Sequence, residues 1–218
     1  MTNDDGATAS LVFSYLALRR AIGVLGIGLP FVLVLGALAL QGAGLEPSIS
    51  DYYYTIMRNV FVGTLCAIGV FLMSYHGYER ADDIAGDLAC IFAVGVALFP
   101  TMPEPGPTHM QLIVGYVHYS FAAAFFLTLA YFCLCLFRKT DSSKPMTSRK
   151  VVRNRVYTVC GYLILLCIAL VALYGAFFRG APIAQWRPVF WLEATAVIAF
   201  GASWLVKGEA LLQDVDGG

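Results

Sequence analysis

Long apolar runs separated by short polar stretches divide the chain into six segments, near 21–41, 54–75, 84–102, 111–137, 156–178 and 188–206. Each approaches or exceeds the ~20 residues that an α-helix needs to cross the hydrocarbon layer of a bilayer. The pattern predicts an all-α, polytopic membrane helix bundle of six transmembrane helices. The connections are short, so successive helices are expected to be antiparallel neighbours. Residues 10–20 (SLVFSYLALRR) are amphipathic and predict a short lead-in helix lying in the membrane interface. The chain thus divides into an N-terminal cytoplasmic or interfacial segment (1–20), a transmembrane domain (21–206) and a tail (207–218). No internal repeat and no separate soluble domain is expected.

Composition agrees with lipid as the main solvent: 59% of the 218 residues are apolar and 13% charged. The net charge of zero says little, because the charges are segregated. Loop 138–155 (RKTDSSKPMTSRKVVRNR) holds seven of the fourteen basic residues. With Arg19, Arg20, Arg80 and Lys207 this puts eleven on one side, against Arg58, Arg179 and Arg187 on the other. The positive-inside rule then places both termini and the basic loop in the cytoplasm, in a multi-pass protein of the cell (inner or plasma) membrane. Residues 1–9 are polar and acidic and no cleavage site follows the first apolar run, so the first helix is expected to persist in the mature protein. The basic loop suits anionic lipid; no aromatic side chains interleave its charges, so nucleic acid is not an expected partner. The six cysteines all fall in apolar runs without a CxxC spacing and read as buried free thiols.

The connections differ in character. Loop 42–53 (GAGLEPSISDYY) lacks basic residues and runs into Tyr52–Tyr53–Tyr54, an aromatic belt, with Ser50 or Asp51 as expected N-cap of helix 2. Loop 103–110 (PEPGPTHM) is proline-rich and stiff, and Trp186 beside Arg187 is a second interface anchor. Helix 3 carries Ala85, Ala89, Ala93 and Ala97, a small-residue ridge that allows close helix approach. Gly23, Gly26 and Gly28 with Pro30 predict tight packing or a bend in helix 1.

Three ionisable residues interrupt the apolar runs: Arg58, His118 and Glu193. At ~1.5 Å rise per residue they lie ~6, ~10 and ~8 Å below the starts of helices 2, 4 and 6, on the same side of the bundle. A charge in hydrocarbon needs a partner, a cavity or a task. If the three helices share an inner face, Arg58 can pair with Glu193, with His118 beside them and Asp51 above. The competing reading is structural: Arg58 snorkels to phosphates, Glu193 serves as polar glue and His118 donates to a carbonyl. A second set gathers on the cytoplasmic side, where His76, Glu79, Asp82, Asp83 and Asp87 face Arg153, Asn154 and Arg155; pairing with the loop arginines is expected. A His/carboxylate set also suits a metal that activates water, but neither HxxxH nor HExxH occurs, and no metal or cofactor is assigned. Nucleotide-loop, serine-hydrolase and haem signatures are missing.

The segment PSISDYYYTIMRNVFVG (Pro47–Gly63) and the six-helix count resemble six-helix membrane proteins of the FRAG/DRAM/Sfk type, in which a short outer loop with a P-x-I-S motif precedes helix 2. The resemblance implies that Ser48, Ser50 and Asp51 belong to an outer-face loop, and it links the chain to lipid remodelling, phosphoinositide regulation and autophagy; its bacterial relatives are uncharacterised. The CREST group of membrane hydrolases differs in having seven helices and a C-terminal HxxxH. The reading that follows is a membrane protein with an outward-facing polar pocket, formed by Asp51, Arg58, His118 and Glu193, that handles a lipid headgroup. The alternatives are an oligomeric channel or transporter, whose path runs along those residues or between subunits at the alanine ridge, and a metal-dependent membrane hydrolase. Expected partners are membrane lipids and further copies of the chain.

Overall fold

The computed structural model describes residues 3–42, 44–77, 79–103, 105–139, 147–178 and 180–211, with side chains from Tyr15 onward. Residues 140–146 of the basic loop, Glu104, Arg179 and the tail beyond 211 lie outside them. The described residues are helical without strands: α1 (Asn3–Gln41), α2 (Arg58–Met73), α3 (Arg80–Leu98), α4 (His109–Tyr131), α5 (Ser148–Phe177) and α6 (Pro188–Lys207), with 3₁₀ turns at Ser50–Tyr54 and Pro182–Trp186. Phe132–Leu136 continue α4 in π form. Among the described residues, four segments are long and apolar enough to cross a membrane: Tyr15–Gln41, His109–Leu136, Ser148–Phe177 and Pro188–Lys207. By contrast, α2 has only 16 residues, and α3 carries Arg80, Asp82, Asp83 and Asp87.

Helix ends depart from the apolar runs where polar residues start a helix. The 10–20 segment is no separate interfacial helix but the first part of α1; nothing in it breaks the helix, and Arg19 and Arg20 turn to the end of α6. α3 begins at Arg80, four residues before its apolar run, because Glu79 and Asp82 form a capping box, with Glu79 N–H donating to Asp82 at 3.0 Å. α5 likewise begins within the basic loop, where Thr147 accepts from Lys150 N–H at 3.2 Å. α2 starts late. Tyr52–Tyr54 wind into the 3₁₀ turn and Thr55 is extended, so Arg58 is the first residue of the helix. Ser48 caps that turn, accepting from Asp51 N–H at 3.1 Å, whereas Met57, the N-cap of α2, makes no side-chain bond. The expected side-chain cap of α2 by Ser50 or Asp51 is therefore not made; Ser48 instead bonds the Asp51 N–H of the preceding turn.

Each helix packs on its chain neighbours, and α6 closes the ring against α1. α6 is the most enclosed of the four long apolar helices. The closure depends on glycine. A Cβ on Gly201 would meet the Gly23 carbonyl at 2.7 Å and the Ile27 nitrogen at 2.8 Å, and one on Gly26 would meet Gly201 Cα at 3.3 Å. Backbones meet there with no side chain between them, as expected where van der Waals contact drives helix association in lipid. On α3, Ala85, Ala89, Ala93 and Ala97 are buried. A Cβ on Gly69 of α2 would touch Ala93, and one on Gly86 of α3 would lie 2.5 Å from the Leu72 carbonyl of α2. The alanine ridge is thus used within the chain, against α2.

Two single-atom additions test this packing. Gly201→Ala should lower the thermal transition of the purified protein in detergent, by about 1–3 kcal/mol of overpacking strain. Gly28→Ala, where no atom lies within 4 Å of the new Cβ, should raise it slightly, since alanine is about 1 kcal/mol the better helix former. Equal effects at both sites would refute the glycine-seam account.

Candidate functional site

The end of the bundle that carries the 42–57 connection holds the four residues of the expected pocket, but on separate duties. Glu193 lies in the second turn of α6. Its Oε2 accepts the Ile49 N–H at 2.8 Å, and its carboxylate also bonds the Ser50 backbone. One turn nearer the helix start, Phe190 N–H donates to the Pro47 carbonyl at 3.0 Å. Together these bonds pin the Pro47–Ser50 loop across the start of α6, with Ser48, Ile49 and Ser50 buried. Asp51 joins the same loop and accepts from Ser48 Oγ at 2.8 Å. Tyr52, fully buried, tilts against Phe190 with ring centroids 6.4 Å apart. Burial pushes its phenol pKa up, so it stays a neutral hydroxyl.

Arg58 is elsewhere. It is exposed, its guanidinium lies 4.1 Å from the Tyr53 ring centroid and it donates to the Tyr53 hydroxyl. Its expected depth disappears because α2 starts at this residue. His118 is 2% exposed, and its Nδ1 lies 2.7 Å from the carbonyl oxygen of Phe99, the residue that ends α3. A carbonyl only accepts, so Nδ1 carries the proton in this contact. Gly115, one turn before His118, seats Met102 of the α3–α4 connection, where a Cβ would come within 2.9 Å. Asp51 and Glu193 are therefore brought to one loop, while Arg58 and His118 each serve another partner.

A chain of contacts does run sideways from Arg58. Tyr53 packs edge-on against Tyr54, and the Tyr54 hydroxyl donates to the Thr101 carbonyl at 2.5 Å. Thr101 Oγ1 donates to the Tyr119 hydroxyl at 3.5 Å, and Tyr119 packs against Tyr116. Tyr116 lines an apolar groove of 560 Å³ between α3 and α4, together with Phe92, Ile113, Val117, Ser120 and Phe121. A second groove of 380 Å³ opens between the same two helices toward their other ends, beside Ile84, Leu88, Leu127 and Tyr131. Sequence reasoning misses this feature, because a groove follows from how two helices splay and no residue pattern encodes it.

The opposite end, called here the basic end, carries the second expected cluster. Asp82 is 1% exposed and is held with Glu79 by Lys139, each at 3.0 Å. Partial burial disfavours the Lys139 charge, but the two carboxylates outweigh it and hold its pKa above the ordinary lysine value. Lys139 is the partner that the expectation of arginines overlooked; it stands at the end of α4's run, within reach of the α3 start. His76 packs locally, with Nδ1 3.2 Å from the Ser74 carbonyl and its own carbonyl accepting from Tyr15. Asp83 is half-buried, Asp87 is exposed, and Arg153 is half-buried near Tyr157 and Lys207. All six cysteines are free thiols. Among the described residues no three His, Cys, Asp or Glu side chains gather as a metal-binding group. Compared with known proteins, the chain matches no family model, no curated protein and no solved structure.

The role of Glu193 is open to direct test. Glu193→Leu leaves the Ile49 N–H without its acceptor and should cost about 1–3 kcal/mol of stability, with faster proteolysis of the 44–50 loop. Glu193→Gln keeps an acceptor and should restore most of that protection. A Leu variant as resistant as the parent protein would remove this role.

Proposed function

We propose that the protein is a six-span membrane protein, with both termini and the basic loop in the cytoplasm, that holds a membrane phospholipid at the side of its bundle. An acyl chain lies in the groove between α3 and α4, and the phosphate sits at the exposed Arg58–Tyr53 pair. The observation that carries the reading is the chain of contacts Arg58–Tyr53–Tyr54–Thr101–Tyr119–Tyr116, which joins an exposed cation to the mouth of an apolar groove. Arginine suits a phosphate because its planar donors match the oxyanion, and tyrosines are at home at headgroup depth.

The orientation is supported by eleven basic residues on one side against three on the other. α2 and α3 are the shorter or more charged spans, and their glycine- and alanine-lined contact lets them cross as a packed pair. The resemblance of Pro47–Gly63 to FRAG/DRAM/Sfk-type proteins points to the same class of ligand. The channel alternative loses its inter-subunit route, since the alanine ridge is buried against α2.

Native mass spectrometry of protein extracted from anionic bilayers tests the reading. The parent protein should retain a stoichiometric phospholipid. Ser120→Trp, which fills the groove, should abolish retention, and Arg58→Gln should remove the preference for anionic over zwitterionic lipid. Retention unaffected by Ser120→Trp would contradict the proposal.

A further inference from the structure

Two helices of the bundle, α3 and α5, each carry a regular exposed face. On α3 the exposed residues Ile84, Asp87, Ile91 and Leu98 lie along one side, with half-buried Val94 among them. On α5 the exposed residues Val152, Arg155, Val159, Tyr162 and Leu166 do the same. Both sets advance by alternating steps of three and four residues, the spacing at which parallel helices interlock side chains along a shared seam. Each set includes one charged residue, and the two signs are opposite: Asp87 on α3 and Arg155 on α5.

The two charges also stand at matching heights. Both helices start at the basic end, and Lys139 ties their starts together. Its Nζ binds Asp82 in the first turn of α3 at 3.0 Å, and its carbonyl accepts from Lys150 Nζ of α5 at 3.1 Å. Asp87 follows Arg80, the first residue of α3, by seven positions, and Arg155 follows Ser148, the first of α5, by seven. Each therefore lies ~10 Å along its helix. Two copies in one bilayer share an orientation, so α3 of one runs parallel to α5 of the other. Setting Asp87 beside Arg155 then aligns Ile84 with Val152, Ile91 with Val159, Val94 with Tyr162 and Leu98 with Leu166. Lipid tails satisfy the apolar positions but give Asp87 no donor, and its side chain is too short to snorkel as lysine and arginine do. Like faces do not suit one another: α3 against α3 sets acid on acid, and α5 against α5 sets arginine on arginine.

We propose that the chain associates with a second copy of itself through α3 of one copy and α5 of the other, with Asp87 paired to Arg155 across the contact. The charged pair sets partner and register, and the apolar layers beside it supply the packing. Of the five α3 positions only Ile84 lines either groove, so the groove beside Tyr116 is left outside the seam. The pairing rests on the six-span reading in one respect: α3 must cross the bilayer in the same sense as α5.

Size-exclusion chromatography with light scattering, in mild detergent, reads the association. The parent protein should run as more than one copy. Asp87→Arg and Arg155→Asp should each raise the dissociation constant at least about tenfold by setting like charges together. The two reversals combined in one chain should regain the parent value. Both positions are exposed, so each variant should keep the parent thermal transition. Val159→Ala, which changes no charge, should weaken association as well and serves if a reversal fails to fold. A parent protein that runs as a single copy, or a double reversal that associates no better than the single ones, overturns the proposal. An epitope inserted in the 103–108 connection separates this from the topology. Found on the same side as the termini, it overturns the six-span reading and the pairing together. Found on the opposite side in a protein that does not associate, it overturns the pairing alone.

Discussion

Hydrocarbon offers no hydrogen bonds, so every polar group placed in it must find its partner inside the protein. In this fold that constraint falls chiefly on the main chain, and the side chains that stand out in the apolar runs answer it. Glu193 takes the amide of Ile49, His118 takes the carbonyl of Phe99, and Arg19 and Arg20 take the last carbonyls of α6. Each tethers an irregular stretch or a helix end to a neighbouring helix. The ring of six helices is therefore closed by two kinds of contact: glycine and alanine seams along the helices, and polar tethers at their ends.

This division leaves the open space at the margins of the bundle. Between the helices, Trp204, Phe132, Phe137, Phe200 and Tyr75 pack as one aromatic block at the basic end. Lateral grooves open between α3 and α4, where Gly95 lets Phe121 approach and the helices leave apolar space to either side. Exposed Arg58 stands at one end, and the buried donors Arg19 Nε and Trp204 Nε1 at the other.

The hydrophobic pattern made the helices legible, and α6 was placed to within one residue of its end. It misplaced the starts of α2, α3 and α5 for one reason: helix ends are decided by capping and turns, which apolarity does not report. Tyr52–Tyr54 look like the opening of an apolar helix, yet they wind into a 3₁₀ turn capped by Ser48. That four-residue error moved Arg58 from inside the bundle to its edge and undid the expected pairing with Glu193. His118 and Glu193 were legible as anomalies, but their partners are backbone groups. Sequence marks a charge in an apolar run without saying which amide or carbonyl it will meet.

The central claim is that Arg58 and Glu193 act separately, each on its own part of the fold. A double-mutant cycle on thermal stability, with Arg58→Met, Glu193→Gln and the two combined, measures this directly. Independent roles predict additivity to within about 0.5 kcal/mol. A coupling energy well above that, of roughly 1–3 kcal/mol, would mean that the two side chains meet in one site, and would contradict this account.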